Sequence, residues 1–135
     1  MPAATHALLN RFYAACNAGD IVAVLDLLAA DVVHDINQGG RESGRMAFGS
    51  FLQRSGRCYR ERIDVLEIMT NADGSRAAVE YRVDGEYLAT DIGLPPAAGQ
   101  RYRLSGGAFF EIRRGRITRI TDYYSLSDWL AQLVA

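Results

Sequence analysis

The stretch LLNRFYAACNAGDIVAVLDLLAADVVHD, residues 8 to 35, decides the fold of this chain. Apolar residues recur at helical spacing over residues 5 to 17, and Gly19 is suited to end that helix as its C-terminal cap. Asp20 is suited to cap a second helix, and a short apolar strand over residues 32 to 36 follows it. The chain is therefore predicted to open with two helices and a strand.

The rest of the chain contains one more internal helix and then a run of strands. The helix is predicted over residues 43 to 54, after the Gly39-Gly40 break. Four strands are predicted at residues 59 to 70, 76 to 90, 101 to 113 and 116 to 125. The turn signals NADGS, GLPPAAGQ and RRGR separate these strands, so antiparallel hairpins are the simplest connection. A short helix from residue 125 to residue 134 closes the chain.

Strand alternation and glycine positions indicate the shape of the sheet. From residue 76 onward, apolar and polar residues alternate, which is typical of a sheet with one face in water, and Tyr81 falls on the buried face. A change of parity between Val65 and Leu66, and the Gly106-Gly107 pair, predict at least two bulges that bend the sheet. We expect a single α+β domain over residues 1 to 135, cone-shaped, with the helices packed on the concave face of a curved antiparallel sheet.

The composition excludes several classes of function. The 15 basic and 16 acidic residues are scattered and give a net charge of −1, so we expect no nucleic-acid or membrane partner. Lysine is absent, which excludes Schiff-base chemistry, and no metal-binding, nucleophile-elbow or dinucleotide-binding motif occurs. We therefore expect no metal and no cofactor. The two cysteines do not form a disulfide framework of the kind that small secreted domains use, and no signal-peptide pattern is present, which favours a cytoplasmic protein.

The opening stretch resembles ketosteroid isomerases and the nuclear transport factor 2-like superfamily, in which a helix, N-A-G-D, a second helix and an acidic strand follow one another. The segment GQRYRLSGGAFFEIRRGRITRITDYYSLSDWLAQL is similar to the closing strands of SnoaL-like polyketide cyclases. HDINQGGRE, GLPPAAGQ and YYSLSDW resemble the group called ketosteroid isomerase-related proteins. The resemblance covers almost the whole chain. It implies a cone-shaped α+β barrel of cystatin-like topology, and a homodimer formed through the outer face of the sheet.

Ketosteroid isomerases use an aspartate base, with a tyrosine and a protonated aspartic acid that stabilise the oxyanion. Matching of the N-A-G-D block puts Phe12 at the tyrosine and Ile36 at the base. Matching of the last glycine turn puts Ala108 at the aspartic acid, or Gly107 if the register slips by one. None of these residues can move a proton. The resemblance thus implies weak or no steroid isomerase activity and leaves Phe12, Ile36 and Ala108 as substrate-binding positions.

The pair His34-Asp35 is the first candidate for acid/base chemistry. If Ile36 faces the cavity, strand alternation turns His34 inward and Asp35 outward, although a bulge at the glycine turn would reverse the two. The inward residue of the two would be a general acid or base, and the alternative for His34 is a hydrogen-bonded histidine of the core.

Asp122 is the second candidate, because the same matching places Ile120, Asp122 and Tyr124 on the cavity face of the last strand. Desolvation raises the pKa of a carboxyl group on an apolar face, which suits proton transfer near neutral pH. Polyketide cyclases of this superfamily use such an acidic residue in a ring-closing aldol step. The alternative for Asp122 is a salt bridge with Arg119 or Arg103.

Tyrosines and an asparagine complete the predicted site. Tyr59, Tyr81 and Tyr124 can each offer a ring and a hydroxyl to a ligand, or else belong to the core. Asn37 could donate a hydrogen bond to a carbonyl or serve as a turn residue. We expect a cofactor-free isomerase or cyclase that moves a proton on a small apolar carbonyl compound. The alternatives are a non-catalytic ligand-binding or dimeric interaction module, and a dehydratase or epoxide hydrolase.

Overall fold

The two predicted helices open the chain in the computed structural model, which describes residues 1–37 and 39–134. Helix α1 spans Pro2–Ala18 and helix α2 spans Ile21–Asp26. Gly19 ends α1 in the left-handed conformation, and the side chain of Asp20 accepts a hydrogen bond from the backbone N–H of Ala23 at 3.1 Å. Both predicted caps are therefore confirmed.

Within the described residues, six strands form one curved sheet that does not close into a complete barrel. The further elements are β1 Leu28–Ile36, β2 Gly40–Ser43, α3 Arg45–Cys58, β3 Tyr59–Thr70, β4 Arg76–Tyr87, β5 Gln100–Arg113, β6 Arg116–Tyr124 and α4 Leu126–Val134. The strand order is β2-β1-β6-β5-β4-β3, and neighbours are antiparallel except β1 and β6, which are parallel. The predicted α+β architecture is confirmed.

The structure differs from the prediction mainly around β1 and β2. Strand β1 begins four residues earlier than predicted, at Leu28, because this fully buried residue pairs with Ile117 of β6. Residues 40 to 43, predicted as the end of a break and the start of a helix, instead form the edge strand β2, which pairs with the end of β1. Helix α3 starts only after Gly44, whose positive φ of 99° ends the strand.

One of the two predicted bulges is confirmed. The register of β3 against β4 shifts between Val65 and Glu67, where the parity of apolar residues changes. The bulge predicted at Gly106 and Gly107 is wrong, because both glycines pair with β4 in continuous register. Gly106 instead makes room for an aromatic ring: a Cβ atom there would lie 2.7 Å from Cε1 of Tyr81.

The hydrophobic core lies between the helices and the concave face of the sheet. The predicted alternation in β4 is confirmed, since its inward-facing residues Ala77, Val79, Tyr81 and Val83 are all buried.

In the described part of the chain, no helix has the length and apolar character needed to cross a membrane.

Candidate active site in the cavity

A cavity of about 740 Å³ opens between the helices and the sheet. Its walls are mostly apolar and include Phe12, Ile36, Phe48, Phe51, Ile120 and Trp129. Small-molecule sites commonly have volumes of roughly 300–1,000 Å³ and combine apolar walls with a few polar groups. The cavity is therefore large enough for a molecule of several fused rings.

Asp122 is the polar group on the β6 wall of this cavity. Its side chain is 30% exposed, and the hydroxyl of Tyr81 donates a hydrogen bond to its Oδ1 at 3.0 Å. Nε2 of His34 lies 3.6 Å from its Oδ2. The structure thus brings the two predicted acid/base candidates together, although no direct pairing between them was predicted.

The predicted alternative for Asp122, a salt bridge with an arginine, does not describe this site. Arg119 lies on the opposite face of the sheet and binds Asp35, while Arg103 binds Asp84 at 2.7 Å. Among the described residues, the ion-pair partner of Asp122 is His34. The carboxyl group of Asp122 is therefore held by a neutral hydroxyl and an imidazole.

His34 is a buried residue of the cavity wall. Only 3% of its side chain is exposed, and its ring packs edge-on against Phe48 and Phe51, with centroid distances of 4.9 and 4.8 Å. Within the described residues, its Nδ1 is buried and has no hydrogen-bond partner. Nε2 lies 3.6 Å from Oδ2 of Asp122, which is near but too long for a hydrogen bond.

Asp35 points to the opposite face of the sheet, because no bulge interrupts the alternation with His34 and Ile36. Its carboxylate accepts hydrogen bonds from Arg41 at 2.7 Å, and from Arg119 and Thr121 at 2.8 Å. These bonds, that of Arg41 first, hold the pKa of Asp35 well below its usual value. The prediction of Asp35 as a catalytic residue is therefore corrected, because Asp35 lies outside the cavity and its surroundings keep it ionised.

The predicted tyrosines all line the cavity. The hydroxyl of Tyr59 donates to Asp91 at 2.6 Å, and its ring stacks on Tyr87 with the centroids 5.5 Å apart. Burial raises the pKa of Tyr124, and the charge of Asp122 raises it further. These hydroxyls therefore stay protonated near neutral pH and can donate hydrogen bonds.

Two predicted binding residues lie outside the cavity lining. Ala108 is 1% exposed and lies beside Asp122, with which it pairs in the β5–β6 register. Asn37 adopts a positive φ of 43°, and its side-chain oxygen accepts the backbone N–H of Tyr124 at 3.0 Å. Of the two predicted roles, carbonyl donor and turn residue, the structure shows Asn37 in the second, since it connects the end of β1 to β6.

Sequence reasoning missed several polar residues of the lining, Tyr13 and Glu61 among them. Tyr13 follows Phe12 in α1, and the buried face of that helix is wide enough to include both residues. Glu61 carries a readable signal: in β3 it shares strand parity with Tyr59 and Ile63, so it points inward with them.

A curved sheet that encloses a mostly apolar cavity together with the helices is the arrangement expected from the resemblance to nuclear transport factor 2-like proteins. The SnoaL-like domain pattern matches residues 9–120, and the chain therefore belongs to the SnoaL-like family.

Several solved structures resemble this chain. A provisionally named polyketide cyclase from Pseudomonas putida KT2440 is 56% identical, with a TM-score of 0.91, covering 93% of this chain and 95% of that one. Another, from Xanthomonas campestris pv. campestris, is 50% identical with a TM-score of 0.94 and 98% of both chains covered. A Catenulispora acidiphila protein described as having a ketosteroid isomerase-like fold is 21% identical, with a TM-score of 0.78 over 94% of this chain and 92% of that one, which shows the fold alone. No curated protein matches the chain.

Proposed function

We propose that this protein is a cofactor-free enzyme that moves a proton on a small, mostly apolar carbonyl compound, in an isomerisation or a ring closure. One observation carries the proposal: the Asp122 carboxyl group lies in an apolar cavity between the Tyr81 hydroxyl and the His34 imidazole. The provisional names of the 56% and 50% identical structures, both polyketide cyclases, agree with this class of reaction.

The reaction would begin at the carbon next to the ligand's carbonyl group. Asp122 accepts a proton from this carbon, and the electrons of the C–H bond move into the carbonyl group to form an enolate. For an isomerisation, Asp122 returns the proton to another carbon of the conjugated system. For a ring closure, the enolate carbon attacks a second carbonyl, whose oxygen takes up the proton.

The neighbours of Asp122 suit this task in different ways. The hydrogen bond from Tyr81 fixes the direction of the carboxyl group, and the buried His34 places its Nε2 3.6 Å from the other carboxyl oxygen. Both side chains act on the carboxyl group of Asp122 rather than on the reacting atoms of the ligand. Asp122 is more exposed to the cavity than His34, so Asp122 is the group that meets the substrate.

True steroid isomerase activity is expected to be weak or absent. Phe12 and Ile36, which line the cavity, occupy the positions that the resemblance matches to a proton-donating tyrosine and a base. Neither side chain carries an exchangeable proton. Asp122 would act from a different strand, so the substrate must present its acidic carbon to β6.

Hydrogen–deuterium exchange tests the proposal, since both reactions begin with removal of the same kind of proton. The purified protein in D₂O is incubated with 1-tetralone, 2-tetralone, a steroid 5-en-3-one and a hydroxyanthrone, and deuterium uptake is measured by mass spectrometry. Because general bases contribute about 10²–10⁴-fold, Asp122→Asn is expected to lose at least about 100-fold of the catalysed exchange.

Asp84→Asn is the matched control, because Asp84 lies on the outer face of β4 and pairs with Arg103. It should exchange like the wild type. Equal exchange by wild type and Asp122→Asn would refute the role of Asp122. Binding of these ketones without any catalysed exchange would support the alternative, a non-catalytic ligand-binding module, and hydrolysis of an added terpenoid epoxide would support an epoxide hydrolase.

A further inference from the structure

Glu61 is a second carboxyl group in the same cavity, and the proposed mechanism does not use it. It lies on β3, while Asp122 lies on β6, so strands β4 and β5 separate the two. The hydroxyl of Tyr102 donates a hydrogen bond to Oε2 of Glu61. Tyr102 is only 4% exposed, and its ring packs against Trp129 with the centroids 5.6 Å apart. The donor is therefore fixed in place behind Glu61.

A glycine between the two strands makes this hydrogen bond possible. In the sheet register, Gly85 of β4 pairs with Glu61 on one side and with Tyr102 on the other. A Cβ atom at Gly85 would lie 2.3 Å from Cζ of Tyr102, so the tyrosine ring lies directly over the glycine. Any larger residue at this position would displace the ring and remove the donor.

Asp122 is held by the same construction. Tyr81 of β4 pairs with Gly106 of β5, and a Cβ atom at Gly106 would lie 2.7 Å from Cε1 of Tyr81. The Tyr81 ring crosses this glycine to reach Asp122 on β6. Two tyrosines thus cross two glycines in opposite directions, each to reach a carboxyl group two strands away. The repetition indicates that Glu61, like Asp122, is a positioned group of the site.

The surroundings of Glu61 favour the neutral form of its carboxyl group. Glu61 is exposed as a residue, yet desolvation of its carboxyl group by the surrounding protein raises its pKa; the hydrogen bond from Tyr102 opposes this shift, and the charge of Asp122 adds to it. Tyr81 and Tyr124 are also close enough to interact with its charge. The arginines that line the cavity have other partners: Arg54 pairs with Asp91, and Arg60 pairs with Glu86.

We propose that Glu61 is a ligand-binding residue that donates a hydrogen bond from its free carboxyl oxygen to an oxygen of the ligand, at the end remote from Asp122. The ligand is then an apolar ring compound that carries an oxygen function at each end. This inference rests on the proposed function, because it takes Asp122 as the group that meets the reacting end.

A matched pair of fluorescent probes tests this inference. The probes are 6-acetyl-2-naphthol, whose ketone accepts a hydrogen bond, and 6-isopropyl-2-naphthol, which has nearly the same shape without the acceptor. Both are titrated, beginning at pH 4.5, into wild type, Glu61→Gln and Glu61→Leu. One neutral hydrogen bond contributes about 1 kcal/mol, so wild type is expected to prefer the ketone about five-fold.

The variants separate hydrogen bonding from shape. Glu61→Gln keeps a donor and should keep the preference, whereas Glu61→Leu should bind the two naphthols equally. In wild type the preference should decline as the pH is raised through the folded-state pKa of Glu61, because an ionised Glu61 cannot donate, and Glu61→Gln should show no such decline.

Three results would overturn the assignment of Glu61: no preference in wild type, a preference that survives in Glu61→Leu, or binding of neither naphthol. The deuterium-exchange assay reports on the proposed function separately. If exchange is absent while the Glu61-dependent preference is present, the proton-transfer function fails and the binding role of Glu61 stands.

Discussion

Replacing Gly85 by alanine is expected to destabilise the protein, because a buried ring occupies the space that the new methyl group needs. The Cβ atom would lie 2.3 Å from Cζ and 2.4 Å from Cε2 of Tyr102. Tyr102 is nearly fully buried and cannot rotate away freely. The ring must therefore shift, and its hydrogen bond to Glu61 must lengthen or break.

The size of the effect follows from three contributions. Overpacking of a core costs about 1–3 kcal/mol, and loss of one hydrogen bond costs about 1 kcal/mol. Alanine in place of glycine in a strand interior returns roughly 0.5–1 kcal/mol. The expected net loss in the free energy of unfolding is therefore about 1–3.5 kcal/mol, a substantial part of the roughly 5–15 kcal/mol typical of a domain.

Urea unfolding followed by the fluorescence of Trp129, the only tryptophan in the chain, measures this loss. Gly40→Ala is the control, because its Cβ atom would meet nothing within 4 Å and its φ is not positive. Gly85→Ala is also made in a Tyr102→Ala background, where the ring is gone. There it should cost less than about 0.5 kcal/mol, and a cost that is the same in both backgrounds would refute the steric explanation.

Two further predictions concern pH. The folded-state pKa of Glu61 is raised above its ordinary 4.5, so wild type should lose stability as the pH rises from 4.5 through the folded-state pKa. Glu61→Gln cannot ionise, and it should therefore gain stability relative to wild type at pH 8 but not at pH 4. A difference in melting temperature that does not change with pH would contradict this. The folded-state pKa of Asp35 is lowered below its ordinary 3.8, so its contribution is present above pH 3.8 and is lost as the pH falls through the folded-state pKa. Asp35→Asn should cost about 1–2 kcal/mol at pH 7 and less at pH 2.5 in calorimetry, while Asp31→Asn, at an exposed position of the same strand, should cost little at either pH.

Local sequence patterns predicted most of the fold because local physics determines those parts. Helical spacing and the caps at Gly19 and Asp20 located the first two helices, and alternation identified the buried face of β4. The parallel pairing of β1 with β6 joins residues more than 80 positions apart, and periodicity carries no information about such pairs. The short strand β2 was missed for a similar reason: its pattern is weak, and it exists because β1 offers it an edge.

The site was predicted in part, for reasons visible in two strands. Alternation in β1 correctly placed His34 inward and Asp35 outward once Ile36 was taken to face the cavity. Glu61 was hidden because Arg60 and Arg62 flank it, and the charged run looks like a solvated edge. Parity sets Glu61 apart from them, since it shares its direction into the cavity with Tyr59 and Ile63.

The two faces of the sheet show what distinguishes a structural carboxylate from one that can exchange a proton. On the outer face, two arginines bind Asp35 and keep it ionised, so it holds strands together and is a poor proton carrier. Inside, tyrosine hydroxyls bind Asp122 and Glu61. A neutral donor fixes the position of a carboxyl group without bringing a full positive charge that would trap it as an anion. Because each tyrosine must cross a glycine to reach its carboxyl group, Gly85 and Gly106 are the residues on which this difference depends.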